Sequence, residues 1–202
     1  MSSLNEYLKE NCPATFYEGH CQQVSDQVNI LRSMASFKNI SNIMEIGFNA
    51  GHSSEVFLSA SPRTKVVSFD IGLHDYYTHG KIFIDRKFPS RHRLILGDSE
   101  STVIEYVLEN PEMKFDLIFI DGSHEYEKVK QDIANCLRLA HKDTIIILDD
   151  IVKNPTYKSI HNSGPTQAWA EFIKNGVVRE ISSVEFNTPE GGRGMAWGKY
   201  IL

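Results

Sequence analysis

The stretch FDLIFIDGSHEYE, residues 115–127, joins an almost continuous apolar run to an acidic turn. Such a run is typical of a short strand in a sheet that is covered on both faces. Apolar residues at helical spacing follow it, at Val129, Ile133, Leu137 and Ala140. A buried strand, a turn and an amphipathic helix in this order predict one unit of a parallel α/β sheet.

The same unit recurs along most of the chain. Further strand-like runs lie at Asn42–Ile46, Lys65–Phe69, Arg93–Leu96 and Thr144–Leu148. Helix-spaced apolar residues separate or precede them, for example from Val24 to Ala35 and from Val103 to Leu108. Because strands that alternate with helices form right-handed crossovers, we expect a parallel sheet with helices on both faces.

The end of the chain has a different pattern. Val177–Phe186 and Met195–Leu202 are predicted strands, and the turn-rich Asn187–Gly194 joins them into an antiparallel hairpin. We therefore predict a doubly wound α/β fold whose mostly parallel, seven-stranded sheet ends in this hairpin. Residues 1–202 are predicted to form a single domain, with a helical N-terminal cap over 1–40 and the core over 41–202. Pro155–Pro165 is predicted to be a loop beside the site.

Composition excludes several classes of partner. The 202 residues carry a formal net charge of −5, so duplex nucleic acid is a poor candidate. The longest apolar runs are far shorter than the roughly 20 residues that cross a membrane. Three cysteines, Cys12, Cys21 and Cys136, cannot all pair with one another, and we expect reduced thiols in a cytoplasmic protein.

Acidic residues follow the predicted strands, at the edge where open α/β sheets bind their ligands. They are Asp70, Asp98, Asp121, Asp149 and Asp150, with Glu45 near the end of the first strand. One acid at such a position is most often a helix cap or a turn residue. Acids at one strand end after another favour a ligand site instead.

A glycine loop follows the first strand. Gly47 and Gly51 allow a sharp turn and a close ligand, and the helix that begins near Ser53 would direct N–H groups at it. Asp70 comes 19 residues after Gly51, near the spacing at which an acid reaches ribose hydroxyls. The loop lacks the middle glycine of the nicotinamide fingerprint, which disfavours a dinucleotide.

Together these segments resemble the class I S-adenosylmethionine-dependent methyltransferases, which have a Rossmann-like fold. The metal-dependent O-methyltransferases of catechol type and macrolide-sugar type are the closer match. The resemblance covers roughly residues 15 to 200, and residues 115–127 followed by Asp149-Asp150 are its most specific parts.

The resemblance implies roles for individual residues. The residues that it implies for binding S-adenosylmethionine are Glu45, Gly47, Asn49, Gly51, Ser53, Asp70, Asp98, Ser99 and Asp121. The resemblance also implies that Asp121, Asp149 and Asp150 are ligands of a metal ion, and that Asp121 and His124 are catalytic residues. His124 stands where catechol-type relatives place a catalytic lysine and some sugar-type relatives a histidine.

Elementary chemistry agrees with these roles. Three carboxylates favour a hard cation such as Mg²⁺, or Mn²⁺, and such an ion would acidify a bound hydroxyl. A neutral imidazole could then take the proton. We expect the positive end of the following helix and the cation to disfavour protonated His124.

The acceptor is left open between a sugar or glycan hydroxyl, which His124 favours, and a catechol-like phenol. A nicotinamide-dependent oxidoreductase and a non-catalytic cofactor-binding module are the alternatives from other classes. Arg193 lies between glycines and could bind an acidic acceptor, but it is interpreted as an exposed turn residue. A homo-oligomer is left open.

Overall fold

The computed structural model describes residues 3–14, 18–188 and 191–202. The strands are β1 (Asn42–Ile46), β2 (Lys65–Asp70), β3 (His92–Leu96), β4 (Phe115–Ile120), β5 (Ala140–Asp149), β6 (Val178–Thr188) and β7 (Gly191–Tyr200). The helices are α1 (Leu4–Asn11), α2 (Ser25–Ala35), α3 (His52–Ala60), α4 (Tyr76–Lys87), α5 (Ser99–Glu109), α6 (Tyr126–Leu137) and α7 (Ile160–Lys174). Single 3₁₀ turns lie at Cys21–Gln23 and Pro155–Tyr157.

All seven strands form one sheet in the order β3-β2-β1-β4-β5-β7-β6. Strands β1 to β5 are parallel, and β7 runs antiparallel to both of its neighbours, β5 and β6. The predicted doubly wound fold with a terminal hairpin is therefore confirmed. The strand order reverses between β1 and β4, so a crevice for a ligand is expected at their carboxyl ends.

Two apolar cores lie on the two faces of the sheet. Alternate residues of β4 point to opposite faces. Leu117 and Phe119 therefore pack in one core, whereas Ile118 and Ile120 pack in the other. Because both faces are covered, the strand is apolar at every position except Asp116, and this explains its almost continuous apolar run.

Element boundaries differ from the predicted ones mainly at the second half of the chain. β5 begins at Ala140 rather than at Thr144, and the two hairpin strands extend into the predicted turn as far as Thr188 and Gly191. Residues 189 and 190 of that turn lie outside the described ranges.

The prediction of a loop over Pro155–Pro165 is wrong for the second half of that segment, where α7 begins at Ile160. Ser159 caps this helix, and its backbone N–H donates to Asn162 Oδ1 at 2.9 Å. Gly164 lies so close to the turn after β4 that an added Cβ would stand 2.2 Å from the His124 carbonyl oxygen. A Gly-Pro pair usually interrupts a helix, but here the glycine permits close packing against that turn.

Helices α1 and α2 lie within the first 40 residues, and the predicted division at residue 40 stays a prediction. Among the described residues, no helix combines the length and the hydropathy needed to cross a bilayer.

Candidate active site

The glycine loop passes between the ends of β1 and β4. Gly47 has a φ of +95°, and its N–H donates to the Phe69 carbonyl oxygen at 2.8 Å. An added Cβ at Gly47 would lie 1.9 Å from the carbonyl oxygen of Asp121. Only glycine fits here, because both the backbone conformation and the space exclude a side chain.

Two adjoining cavities open at this edge of the sheet, with volumes of about 560 Å³ and 520 Å³. Gly47, Asn49, Asp121 and His124 line both of them. A molecule bound in one cavity would therefore meet a molecule bound in the other beside Asp121 and His124.

Three further predicted cofactor residues, Asp70, Asp98 and Ser99, line the smaller cavity and not the larger one. The carboxylate of Asp70 accepts the backbone N–H of Asn49 and that of Gly72, each at 2.7 Å. Each oxygen of a carboxylate has a second lone pair, so Asp70 can still accept hydrogen bonds from a ligand.

Asp98 caps a helix and also lines the smaller cavity. It caps α5 by accepting the Glu100 N–H, and Lys128 Nζ donates to its Oδ2 at 2.8 Å. Lys128 first, and the capping hydrogen bond second, lower the pKa of Asp98. Asp98 therefore stays ionised at neutral pH.

Glu45 does not line either cavity. It is fully buried beneath the glycine loop, where the hydroxyls of Ser53, Ser54 and Ser68 donate to its carboxylate at 2.5 Å each. Burial raises the pKa of Glu45, and the three hydroxyls oppose that rise. The structure thus gives Glu45 the role of a support for the loop. Ser53 also lines the larger cavity, whereas Gly51 stands at the start of α3 and lines neither.

Three carboxylates meet at the ends of β4 and β5. Burial, followed by the charge of Asp150, raises the pKa of Asp149 to about 7. Burial and the charges of Asp149 and Asp150 raise the pKa of Asp121 well above its usual value. The sheet therefore brings Asp121, Asp149 and Asp150 near enough for their charges to repel one another, and their role as metal ligands stays a prediction.

The donor chemistry of this carboxylate cluster fits a hard divalent cation. A buried acceptor beside it supports the fit, since Gln27 Oε1 has no hydrogen-bond partner among the described residues. Gln27 Nε2 meanwhile donates to both oxygens of Asp149, at 2.9 Å and 2.8 Å. Within the described ranges, no three His, Cys, Asp or Glu side chains are arranged as a ready coordination group.

His124 lies on the wall shared by the two cavities. Its Nε2 is 2.8 Å from Asp150 Oδ2, and its ring meets the ring of His161 edge-on at 5.3 Å. The hydrogen bond to Asp150 raises the pKa of His124, and burial opposes the rise. This direction is the reverse of the expected one, because the hydrogen bond to Asp150 has the largest effect on the pKa and α6 begins only at Tyr126.

One residue of the site was not found from the sequence, and another was interpreted differently. Gln27 of α2 contacts Asp149, and no sequence signal marked it. Arg193 was interpreted as an exposed turn residue, but its side chain is 21% exposed and Nη2 lies 3.8 Å from Asp149 Oδ2. Its position in the run GGRG was the only available signal.

A stacked pair of histidines also lines the larger cavity. The rings of His20 and His52 lie 3.6 Å apart and nearly parallel. Burial lowers the pKa of His20 to about 4 and that of His52 to about 3. Both imidazoles are therefore neutral at physiological pH.

This sheet order, with a glycine loop and an acid-lined crevice at the point of strand reversal, defines the class I methyltransferase type of α/β protein. A sequence profile described as "Methyltransferase domain" matches residues 44–151, more than half of the chain. The chain belongs to that family. The predicted methyltransferase is thereby confirmed, and no curated protein sequence gives a significant match.

Solved structures with the same fold include several O-methyltransferases. An O-methyltransferase from Bacillus cereus in complex with SAH superposes with a TM-score of 0.75 at 18% identity, over 98% of this chain and 90% of that one. TomG from Streptomyces achromogenes, an O-methyltransferase involved in tomaymycin synthesis and solved with SAM, gives 0.74 at 15% identity, over 98% and 88%. CalS11, a TDP-rhamnose 3′-O-methyltransferase of calicheamicin biosynthesis, gives 0.65 at 20% identity, over 97% and 90%.

Proposed function

We propose that this methyltransferase uses S-adenosylmethionine to methylate a hydroxyl group of a sugar or glycan, with the help of a divalent cation and of His124 as a base. The observation that carries the proposal is the pair of adjoining cavities, one with ribose-binding chemistry and one with polar walls, which share Asp121 and His124.

The cofactor is proposed to lie in the smaller cavity. Asp70 would accept the ribose hydroxyls, and Asp98 and Ser99 would flank the adenine. The methionine end would then extend past Gly47, where the backbone leaves room, toward Asp121. When bound, S-adenosylmethionine supplies a methyl group on a positively charged sulfur.

The acceptor is proposed to lie in the larger cavity, whose lining supports a sugar over a catechol. Most of its described lining residues have side chains with hydroxyl, amide, imidazole or carboxyl groups, including Ser159, Asn162 and Thr188. Among its described lining residues, Phe48 alone is a phenylalanine, tyrosine or tryptophan, and it is only 1% exposed. A flat phenol ring would find imidazoles here but no exposed phenylalanine, tyrosine or tryptophan among the described lining residues, whereas sugar hydroxyls would find many hydrogen-bond partners.

Asp121, Asp149 and Asp150 would hold Mg²⁺ or Mn²⁺. A bound ion of this kind lowers the pKa of a hydroxyl and fixes its orientation. Transfer forms an O–CH₃ bond on the acceptor, breaks the S–CH₃ bond of the cofactor and releases one proton from the acceptor hydroxyl. His124 is proposed to accept that proton, which is supported by its position in the lining of both cavities and by its contact with Asp150.

Three free cysteines, one partly buried and two buried, support a reducing compartment, and we propose the cytoplasm.

The test is a methyl-transfer screen with S-adenosylmethionine over free sugars, nucleotide-linked sugars and catechols, each with Mg²⁺ and with a chelator. We expect transfer to a sugar hydroxyl that chelation abolishes and Mg²⁺ restores. Transfer confined to catechols would contradict the sugar acceptor, and full activity after exhaustive chelation would contradict the ion. Asp150→Ala should behave like the chelated enzyme, and Asp143→Ala, which changes an exposed aspartate of β5, should not.

A further inference from the structure

The backbone of β7 lies unusually close to its neighbours on both sides of Arg193. An added Cβ at Gly192 would stand 2.2 Å from Tyr157 Cβ, and one at Gly194 would stand 2.2 Å from the Ile151 carbonyl oxygen. The Ile151 N–H also donates to the Gly194 carbonyl oxygen at 2.9 Å. The two glycines therefore let the strand pack tightly here, and Arg193 enters the larger cavity between them.

The guanidinium of Arg193 is held at both ends. Nη1 donates to the His20 carbonyl oxygen at 3.2 Å and to Gln23 Oε1 at 3.3 Å, while Nη2 lies 3.8 Å from Asp149 Oδ2. Because the side chain is held by the turn at residues 20–23 and by Asp149 of β5, its charge is directed at the carboxylate cluster. A solvent-exposed arginine would lose most of this effect to screening.

The larger cavity holds one fixed cation beside these acids. Of its described lining residues, Arg193 alone is a lysine or an arginine, and Asp121 and Asp150 line the same cavity. The third acid, Asp149, lies 3.8 Å from Arg193 Nη2. A divalent ion held by the three carboxylates would therefore lie close to this guanidinium.

We propose that Arg193 is a resident counter-cation, a positioning residue that stabilises the carboxylate cluster in the absence of an ion and sets the affinity of the cluster for a divalent ion. The role rests on the ion of the proposed function. A fixed positive charge beside the ligands repels an incoming cation, so the loss of Arg193 should tighten ion binding. Loss of a merely structural contact would loosen it, because the ligands would be less well ordered.

The experiment measures Mn²⁺ binding to the purified full chain by electron paramagnetic resonance of the free ion. Arg193→Gln should bind Mn²⁺ at least about tenfold more tightly than the unmodified protein. Arg193→Lys keeps the charge and should restore an affinity within about threefold of the unmodified value. Arg179→Gln, the same chemical change at an exposed position of the same hairpin, should leave the affinity unchanged.

Thermal unfolding supplies a second readout. Without Mn²⁺, Arg193→Gln should melt at a lower temperature than the unmodified protein, because the three carboxylates lose their counter-charge. With saturating Mn²⁺, the difference should shrink, because the ion now neutralises the cluster.

The outcomes separate this role from the proposed function. Mn²⁺ affinity that is unchanged or weaker in Arg193→Gln would overturn the counter-cation, as would Arg193→Lys behaving like Arg193→Gln. If neither the unmodified protein nor Arg193→Gln binds Mn²⁺, the ion of the proposed function is wrong, and this role fails with it.

Discussion

Asp132→Asn should stabilise this protein at neutral pH and should do little in acid. Asp132 lies on α6 and is 1% exposed, and its carboxylate accepts a hydrogen bond from the side chain of Ser99. Its Oδ1 finds no hydrogen-bond partner in the part of the chain that the structure describes. Burial therefore raises the pKa of Asp132 from 3.8 to about 6, against the opposing effect of Ser99.

The magnitude follows from linkage between protonation and folding. Below pH 3.8 the carboxyl is protonated in both the folded and the unfolded chain, so it costs nothing. Between pH 3.8 and about 6 the folded chain alone retains the proton, and the free energy of unfolding falls as the pH rises. Above that range the folded chain bears the full cost of a buried charge, about 3 kcal/mol at about 1.4 kcal/mol per pH unit.

Asparagine has the same shape and stays neutral, so its advantage over aspartate should grow with pH. We expect urea unfolding at pH 4 to give nearly equal stabilities, and at pH 7.5 to favour Asp132→Asn by up to about 3 kcal/mol. In thermal unfolding this corresponds to a rise in Tm of roughly 6–12 °C at pH 7.5.

Asp143→Asn is the matched control, because it makes the same change at an exposed residue whose pair with Lys199 is 3.5 Å long. It should change stability by less than about 0.5 kcal/mol at either pH. A stability difference between Asp132→Asn and the unmodified protein that is constant from pH 4 to pH 7.5 would refute the reasoning, since the buried carboxyl would then titrate normally.

Three further predictions concern the active site. His124→Ala should lower turnover roughly 10²- to 10⁴-fold while calorimetry shows unchanged S-adenosylmethionine affinity, and wild-type turnover across neutral pH would remove His124 from the mechanism. Asp70→Ala should weaken S-adenosylmethionine binding roughly tenfold or more. S-adenosylmethionine but not NAD should raise the Tm of the unmodified protein, and equal rises from both would argue against the assigned cofactor. Asp149→Ala should abolish the response of turnover to added Mg²⁺ in a steady-state assay, and a preserved response would show that the ion binds elsewhere.

Much of the fold could be predicted because its signals are local. The central parallel strands are buried on both faces, so their apolar runs are visible without knowing their neighbours, as in residues 115–120. Helix α7 was missed at its start for the opposite reason. Its Gly-Pro pair is a local signal against a helix, and only the close approach of Gly164 to His124 reveals why the glycine is there.

The candidate site likewise has features that could be predicted from the sequence and features that could not. Acids at the ends of parallel strands can be expected to converge, since those ends share one edge of the sheet, and the structure does bring Asp121, Asp149 and Asp150 together. The orientation of Glu45 could not be predicted, because its three hydroxyl partners come from α3 and β2.

The sequence by itself therefore determined the methyltransferase fold, the edge of the sheet that carries the site and the residue types that line it. Tertiary structure alone decided which of these side chains face the cavities and which cations and amides meet the carboxylates. Gln27 and Arg193 both reach Asp149, although 122 residues separate Gln27 from it and Arg193 lies on the antiparallel strand β7. Electrostatic contacts of this kind depend on distances of a few ångströms between elements far apart in the chain, and no local pattern of residues records those distances.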